Sequence, residues 1–366
     1  MSAKSQPRKA AEKHLENNPF ATPKELEAMF GLSNQHARKI RHFYFKEHPA
    51  LKKECKRVGI PESNVGHYWH KGKHFSIFVK NKEIDLNEFK KELIEAVKKY
   101  APKFEKIIYK KEKNAHLLFI SPADIHINKL CSAFETGDEY SHKIAIERVK
   151  TGITTLLAKA RAYNIDKILL LIGNDILHTD NAKNTTTSGT PQDTELMWYD
   201  AFVIAKKLYI DIICQLTTLA PIHIQYNPSN HDYVTGFMLA QTIESYFHKN
   251  KNITFDTSMH HRKYFRYYNN LIGSTHGDGA KNNDLPLLMA HEAKEWSECK
   301  HRYIYTHHIH HKQSKDIMSV TIESMRSPSG ADSWHMRNGY MHAPKAIECF
   351  LHDKQHGQIA KFIHLF

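Results

Sequence analysis

The arrangement of apolar residues changes near residue 113. Before that point apolar residues recur mainly at helical spacing, and after it short apolar runs alternate with helical stretches. The runs that predict strands are 116–120, 167–172, 221–226, 271–274 and 303–305. Each is followed by a cluster of polar residues. Buried strands with polar groups at their carboxyl ends are typical of an α/β sheet, so we predict an α/β fold for 114–366.

The first part of the chain has its own helix signals. Thr22, Pro23 and Glu25 have the spacing of a capping box with proline at the first helical position, and Gly31 supplies a stop. A second helix is predicted from Asn34 to about Phe45. Two short helices around a glycine turn resemble a helix-turn-helix over 1–62, although any small helical domain has similar spacing.

The segment 63–113 predicts a hairpin, an amphipathic helix over 86–100 and a linker or domain edge over 101–114. Aromatic and basic residues interleave in the hairpin, which turns near Gly72. As the wing of a winged helix-turn-helix it would bring Lys71, Lys73 and His74 to phosphates. As an ordinary pair of strands it would only pack. The predicted domains are therefore 1–62, 63–113 and 114–366.

Composition restricts the class of protein. The chain has 366 residues, of which 41% are hydrophobic, and no apolar run approaches the ~20 residues that span a bilayer. The first 13 residues are basic and polar, unlike a secretory signal. Five scattered cysteines argue against a disulfide scaffold or a thiolate zinc site. We expect a soluble cytoplasmic protein without a membrane partner.

The positive charge is concentrated near the N-terminus. Residues 1–113 hold 26 basic and 14 acidic side chains, whereas 114–366 hold 26 and 25. A basic module joined to a nearly neutral one predicts delivery of the second to a polyanion such as DNA. On the second predicted helix, Arg38, Lys39 and Arg41 are the candidate DNA contacts. The alternative is a solvated, lysine-rich surface.

Five polar clusters follow the predicted strands, and all of them carry imidazole, carboxylate or amide groups. Donors of this mixed N/O type suit Mn²⁺, Fe²⁺, Zn²⁺ or Ni²⁺. Residues in D-x-H or H-x-H spacing after a strand point to the same side, so a pair can serve one ion or two adjacent ions. The candidate residues are Asp124, His126, Asp175, His178, Asn230, His231, Asp232, His276, His308 and His310.

The ordered set D-x-H, G-(x)-D, N-H-D, H-G-D and H-x-H resembles the calcineurin-like metallophosphoesterase superfamily. The resemblance covers about 117–311 and implies a β-sandwich flanked by helices. The D-I-L-H sequence at 175–178 is similar to the D-[L/I]-F-H motif of double-strand-break repair nucleases. The whole chain, with its polar loop 185–193, also resembles phosphoesterases of phages and prophages, which would place it in a bacterial host's cytoplasm.

The resemblance implies a dinuclear metal site. One ion would be held by Asp124, His126 and His310, and the other by Asn230, His276 and His308, with Asp175 shared by both. Mn²⁺ is the expected metal, with Mg²⁺ added to the alternatives above. The chain departs from the superfamily pattern where Asn174, Ser229 and His307 replace glycine, at positions that often need glycine's backbone freedom. The last departure leaves open whether His307 replaces His308 as a ligand.

Two such cations would polarise a phosphoryl group and activate a bridging hydroxide for in-line attack. His231 would then be the general acid for the leaving oxygen or a hydrogen-bond donor to the phosphate. Asp232 would fix the His231 tautomer or cap the following helix. His178 is expected to reach the substrate. Trp334 and His335 are interpreted either as cleft residues or as core and surface residues.

We therefore predict a metal-dependent hydrolase, a nuclease that cuts nucleic acid and most plausibly DNA. A second hypothesis keeps the metals but assigns phosphoproteins, nucleotides or other small phosphoesters as substrates. A third describes a DNA-binding regulator with an inactive phosphoesterase scaffold. Self-association into a homo-oligomer and binding of a partner ATPase are left open, and the sequence carries no signature for the ATPase.

Overall fold

The computed structural model describes residues 6–18, 21–47, 56, 67–71, 76–80, 102–110 and 112–366. The chain forms two compact units, Met1–Glu95 and Ala96–Phe366. The finer division at residues 62 and 113 stays a prediction. The predicted helix over 86–100 and the hairpin turn at 72–75 lie outside the described residues.

The described part of the first unit contains three helices and one pair of strands. They are α1 (Gln6–Asn17), α2 (Pro23–Phe30), α3 (Asn34–Glu47), β1 (His67–Lys71) and β2 (Ser76–Lys80). Strands β1 and β2 pair antiparallel, as the predicted hairpin requires. Helix α1 was not predicted, because few apolar residues mark it.

Local signals place α2 as predicted. The Thr22 hydroxyl accepts from the Glu25 amide, and the Glu25 carboxylate accepts from the Thr22 amide at 2.6 Å, which completes the capping box. Gly31 ends the helix at φ 64°. The three helices share a small core that includes Ala37 and Ile40 of α3. Whether they act as a helix-turn-helix stays a prediction.

The second unit consists of two sheets with helices outside them. Its helices are α4 (Ala133–Thr136), α5 (His142–Ala160), α6 (Trp198–Thr217), α7 (Tyr233–Phe247), α8 (Leu285–Glu292) and α9 (Ser333–Arg337). Its strands are β3 (His116–Ile120), β4 (Ile165–Gly173), β5 (Ile222–Asn227), β6 (Ile253–Asp256), β7 (Lys263–Tyr267), β8 (Asn270–Ser274), β9 (His301–Thr306), β10 (Gln313–Ile317), β11 (Val320–Ser324), β12 (Ala346–Asp353) and β13 (Gly357–Leu365). One sheet has the order β13-β12-β3-β4-β5-β6, and the other has the order β10-β11-β9-β8-β7.

Alternation along β3 shows how the layers stack. Leu117 and Phe119 join a cluster that also contains Tyr305 of the other sheet, so this cluster fills the space between the sheets. Leu118 and Ile120 point to the opposite face and pack with residues of α5, α6 and α7. Successive strand residues face opposite sides, and both faces of this sheet are therefore buried.

The second sheet is also covered on its outer face. Leu271 and Ile304 of that sheet pack with Leu285 and Met289 of α8. The order helix, sheet, sheet, helix confirms the predicted β-sandwich flanked by helices for the second unit. Within the described residues, no helix has the length and apolar character needed to cross a membrane.

The segment predicted as a linker is packed where the structure describes it. Phe104 stacks on Phe247 at 5.3 Å between ring centroids, and the Tyr109 hydroxyl donates to the carbonyl of Thr217 at 2.6 Å. Residues 102–110 therefore run along α6 and α7 as part of the second unit.

Strand direction gathers the polar clusters at one edge. Strands β3, β4 and β5 are parallel neighbours in one sheet, and β8 and β9 are parallel neighbours in the other. The end of β5 is tied to the end of β8, because the Ser274 hydroxyl donates to the Asn227 side chain at 2.9 Å. The loops after all five strands consequently meet.

Candidate metal centre

Three groups of ligand-type side chains lie where these loops meet. Two of them combine a carboxylate with imidazoles, and the third consists of the imidazoles of His126, His178 and His231. The first contains Asp124, His126 and His310, and the second contains Asp175, His276 and His308. Within each group one ligand atom of every residue lies within 4.8 Å of the others. The structure thus brings together side chains that the sequence places up to 186 residues apart.

The first group is compact and has an unused acceptor. The Nε2 atoms of His126 and His310 are 3.2 Å apart, and His310 Nε2 is 3.6 Å from Asp124 Oδ1. Asp124 Oδ1 is buried and accepts no hydrogen bond. The other carboxylate oxygen accepts from the His308 amide at 3.1 Å. An unsatisfied buried carboxylate oxygen beside two imidazoles fits a cation site.

The second group contains the amide predicted to belong to it. His276 Nε2 lies 3.1 Å from Asp175 Oδ2 and 3.0 Å from Asn230 Oδ1. The His308 ring is 5.1 Å from the His276 ring. It is thus His308, and not His307, that joins this group. The His307 Nε2 atom instead makes a hydrogen bond with the Ser121 hydroxyl at 3.1 Å.

The loops that carry the donors turn sharply. Their non-glycine residues with left-handed φ include Asp124 (50°), His126 (49°), Asn174 (55°), Asp175 (59°), His308 (70°) and His310 (58°). Asparagine at 174 meets the need for glycine-like freedom that the sequence indicated, because asparagine tolerates this region well. The expectation was wrong for Ser229 and His307, which are not among the residues with left-handed φ.

His231 is held in place by two contacts. Its amide donates to Asp175 Oδ1 at 2.9 Å, and its Nδ1 lies 3.0 Å from the carbonyl oxygen of His178. A carbonyl only accepts, so Nδ1 carries the proton and Nε2 is the remaining nitrogen. His231 also lines the large cavity over the centre.

Asp232 does not have either role predicted for it. Its buried carboxylate accepts from the Leu177 amide at 2.9 Å and from the Ser229 hydroxyl at 2.6 Å. The Asp232 side chain does not cap α7. It also does not fix the tautomer of His231, because the His178 carbonyl makes the contact with His231 Nδ1. The sequence motif N-H-D implied a catalytic carboxylate, but this one joins two loops through hydrogen bonds.

His178 packs against other imidazoles. It is buried, with its Nδ1 3.3 Å from Nδ1 of His126, and its ring stacks on His231 at 5.3 Å and 17°. If His126 offers Nε2 to a cation, its Nδ1–H donates to His178. This arrangement orients His126, a role different from the predicted substrate contact.

A chain of polar contacts also orients His310. Its Nδ1 is 3.3 Å from Nε2 of His335, whose Nδ1 is 2.7 Å from Asp332 Oδ1. The second oxygen of Asp332 pairs at 2.7 Å with the buried ammonium of Lys129. Asp332 therefore requires a proton on Nδ1 of His335, and a neutral His335 can accept from His310. Ligating histidines commonly have such outer partners. Only the capping-type spacing of Asp332 and His335 hints at this chain in the sequence.

Burial and neighbouring charges compete in setting the pKa values of the acids and histidines of this centre. Burial would raise the pKa of Asp124 and Asp175, but neighbouring histidines outweigh it and lower both. Burial lowers the pKa of His126 and of His310. Burial also acts on His276, but the Asp175 carboxylate outweighs it and raises its pKa to about 9.

A cavity of about 920 Å³ opens over both groups. Its lining includes His126, Asp175 and His231, residues of the predicted polar loop 185–193, and Trp334. Trp334 is 60% exposed, so the core interpretation of this residue was wrong. The cavity is large enough for several linked groups of a substrate.

The candidate DNA contacts lie on α3 of the first unit. Arg38 and Lys39 are exposed there, and Arg41 is half-buried. Their role in DNA binding stays a prediction.

No protein-family model matches the chain, and no curated protein matches it. Several solved structures are similar to it. An archaeal phosphodiesterase has 10% identity, with coverage of 69% of this chain and 99% of its own and a TM-score of 0.33. Vps29 of Cryptosporidium parvum has 11% identity, 70% and 99% coverage and a TM-score of 0.33. Zinc-bound Vps29 of Entamoeba histolytica has 12% identity, with coverage of 68% of this chain and 98% of its own and a TM-score of 0.29. Values this low assign the chain to no family.

Proposed function

We propose that this protein is a metal-dependent nuclease that hydrolyses phosphodiester bonds of DNA, with its basic first unit binding the DNA. The observation that carries the proposal is the convergence of two donor groups at one sheet edge beneath a single cavity. Neither a lone D-x-H motif nor a basic surface would specify this activity.

The chemistry of the donors fits divalent cations. Asp124 and Asp175 are both buried, and among the described residues only histidines lie within ion-pair distance of them. Buried carboxylates are normally paired or bound to a metal. The lowered pKa values of His126 and His310 favour the neutral imidazoles that ligation requires, whereas His276, whose pKa is raised to about 9, would release a proton when it binds an ion.

Each group would hold one ion. Asp124, His126 and His310 would bind the first, and His276, His308 and Asn230 the second, with Asp175 available to both. Imidazole, carboxylate and amide donors favour Mn²⁺ and admit Fe²⁺, Zn²⁺, Ni²⁺ or Mg²⁺. Such ions would polarise a phosphoryl group and lower the pKa of a bound water.

The chain itself supplies the proton transfer. The two contacts of His231 with Asp175 and with the His178 carbonyl fix its ring beside the second group. Because Nδ1 already carries a proton, Nε2 can donate only from the imidazolium form of His231, which would give its Nε2 proton to the leaving oxygen of the scissile phosphodiester or a hydrogen bond to the phosphate. A backbone-anchored imidazole loses little freedom when substrate binds, which favours catalysis.

DNA as substrate is supported by the charge of the first unit. Residues 1–95 hold 19 basic and 12 acidic side chains. This excess of positive charge would attract any polyanion, and the exposed Arg38 and Lys39 of α3 would contact phosphates. In this division of labour the first unit would hold the DNA and the second unit would cleave it.

The test is incubation of the full chain and Mn²⁺ with end-labelled single- and double-stranded DNA and RNA, with bound metal measured in parallel. Asp175→Asn keeps the side-chain shape but removes the shared charge, and we expect cleavage to be lost. Asp211→Asn is the matched control, because Asp211 is exposed and its ion pair with Lys150 lies at the surface of the second unit. Its activity should equal that of the parent.

Two results would overturn the proposal. Hydrolysis of small phosphoesters without cleavage of any nucleic acid would favour the phosphatase hypothesis. Failure to bind any divalent cation, with DNA binding intact, would favour a regulator with an inactive phosphoesterase scaffold.

A further inference from the structure

An aromatic pair lies at the rim of the cavity. Trp334 on α9 and Tyr340 just after it both line the cavity, and they are 60% and 57% exposed. Their ring centroids are 5.6 Å apart and the rings are inclined by 31°. Large aromatic side chains with this much accessible surface, beside a candidate active site, indicate a surface that contacts a ligand.

The pair is anchored to the candidate metal centre by its neighbours in the chain. His335 stacks on His310 at 5.3 Å and 20°. Asp332 accepts from the His335 amide at 3.0 Å and pairs with the buried Lys129. The residues before and after Trp334 are thus fixed, and the aromatic surface has a set position relative to the ligands. A rigid platform loses little entropy when a ligand stacks on it.

The surroundings indicate what stacks there. Arg337 and Lys345 line the same cavity as the two aromatic rings. Flat π-faces that share a cavity with cations are complementary to a nucleotide, whose base stacks while its phosphate is attracted. In a duplex both faces of each base are covered by the neighbouring base pairs, and only an unpaired base is free to stack on a side chain.

We propose that Trp334 and Tyr340 form a stacking subsite for an unpaired nucleobase of the strand whose phosphodiester lies at the metal centre. This inference rests on the proposed function and narrows its DNA substrate to single strands and frayed ends. A duplex would have to open locally before it could use the subsite.

The experiment compares two oligomers that differ only in their bases. Binding of the full chain in Mn²⁺ is measured by fluorescence anisotropy with oligodeoxythymidine and with an abasic oligomer of equal length. Both carry phosphorothioate linkages that resist hydrolysis, and gels verify that they stay intact. Because both have the same number of charges, the basic first unit contributes equally, and the ratio of the two dissociation constants isolates stacking.

We expect the parent to prefer the base-containing oligomer by about tenfold for one stacked base. The ratio should fall to about one in the double variant Trp334→Ala/Tyr340→Ala and persist in Trp334→Phe/Tyr340→Phe. Tyr268→Ala is the matched control. Tyr268 is 53% exposed and lies in the turn before β8, whereas His276 follows the other end of that strand. Its removal should therefore leave the ratio unchanged.

An unchanged ratio in the folded alanine double variant would overturn the subsite. A change from dimer to monomer in light scattering, caused by the same double variant, would instead identify the pair as a contact between two copies and would also overturn it. The binding ratio does not depend on hydrolysis. A chain that shows the ratio but cleaves nothing would therefore refute the proposed function and leave the subsite standing.

Discussion

Ser229 offers a sharp test of how the centre is held together. Its hydroxyl accepts from the Asp175 amide at 2.8 Å and donates to Asp232 Oδ1 at 2.6 Å, and the residue is fully buried. The glycine typical of the resembling superfamily could make neither bond. Replacing Ser229 with alanine removes one oxygen atom and leaves the backbone unchanged.

The expected cost comes from the two groups left without partners. A buried amide that loses its acceptor costs about 1–3 kcal/mol, and a buried carboxylate that loses one of its donors costs a similar amount. Partial relaxation brings the expected loss in the free energy of unfolding to about 3 kcal/mol. In a unit of this size that corresponds to a fall of roughly 6 °C or more in its melting temperature.

Differential scanning calorimetry of the full chain measures this directly. Ser132→Ala is the matched control, because Ser132 is exposed and its hydroxyl makes no capping bond at the start of α4. Its melting temperature should stay within about 1 °C of the parent. A Ser229→Ala variant that melts within about 2 °C of the parent would refute the argument that this hydroxyl joins the loops after β4 and β5.

Three further predictions concern the outer partners, the first unit and pH. His335→Phe keeps a stacked ring but removes an acceptor, and affinity for one of two Mn²⁺ ions should fall about 10–100-fold in calorimetric titration; equal loss for both ions would contradict this. Changing Arg38, Lys39 and Arg41 to glutamine should reduce the log–log salt slope of DNA binding by up to about 3, and an equal loss of small-diester hydrolysis would contradict the division of labour. Burial lowers the pKa of His352 to about 3. Below about pH 6.5 the unfolded chain therefore binds a proton at this residue that the native chain does not bind. The free energy of unfolding consequently falls as the pH decreases from about 6.5 toward 3. His352→Gln should reduce the loss between pH 7 and pH 5 by about 2 kcal/mol in urea unfolding, and an unaltered loss would be inconsistent with this.

The parts of the structure that the sequence predicted correctly depend on short-range signals or on strand order. Thr22 and Gly31 mark the ends of α2 through contacts within a few residues. Asp124 and His310 are far apart in the chain, but each lies after a buried strand, and parallel strands deliver their C-terminal loops to a common edge. Position relative to a strand end was therefore sufficient to predict that the polar clusters meet, whereas the grouping of residues around each ion came from the resemblance.

The features that the sequence did not predict are the hydrogen-bond partners of individual side chains. Asp232 directly succeeds His231 in the chain, yet its carboxylate turns to Ser229 and Leu177. Asp332, a partner of His335, is distant from the five clusters. Hydrogen-bond partners of this kind are decided by loop conformation and packing, for which hydrophobic periodicity carries no signal.

The loops of the centre are paired with each other beyond the ends of the strands. The amide of Asp124 donates to the carbonyl of Asn174 at 2.8 Å, and the amide of His126 donates to that of Asp175 at 3.0 Å. In the other sheet the amide of His307 donates to the carbonyl of His276 at 2.8 Å. The loops after β3 and β4 thus continue the pairing of their sheet, and the left-handed residues Asp124, His126, Asn174 and Asp175 take part in those bonds. Since the pairing that orders the sheets also orders the ligands, assembling the donor set does not require a cation to draw the loops together.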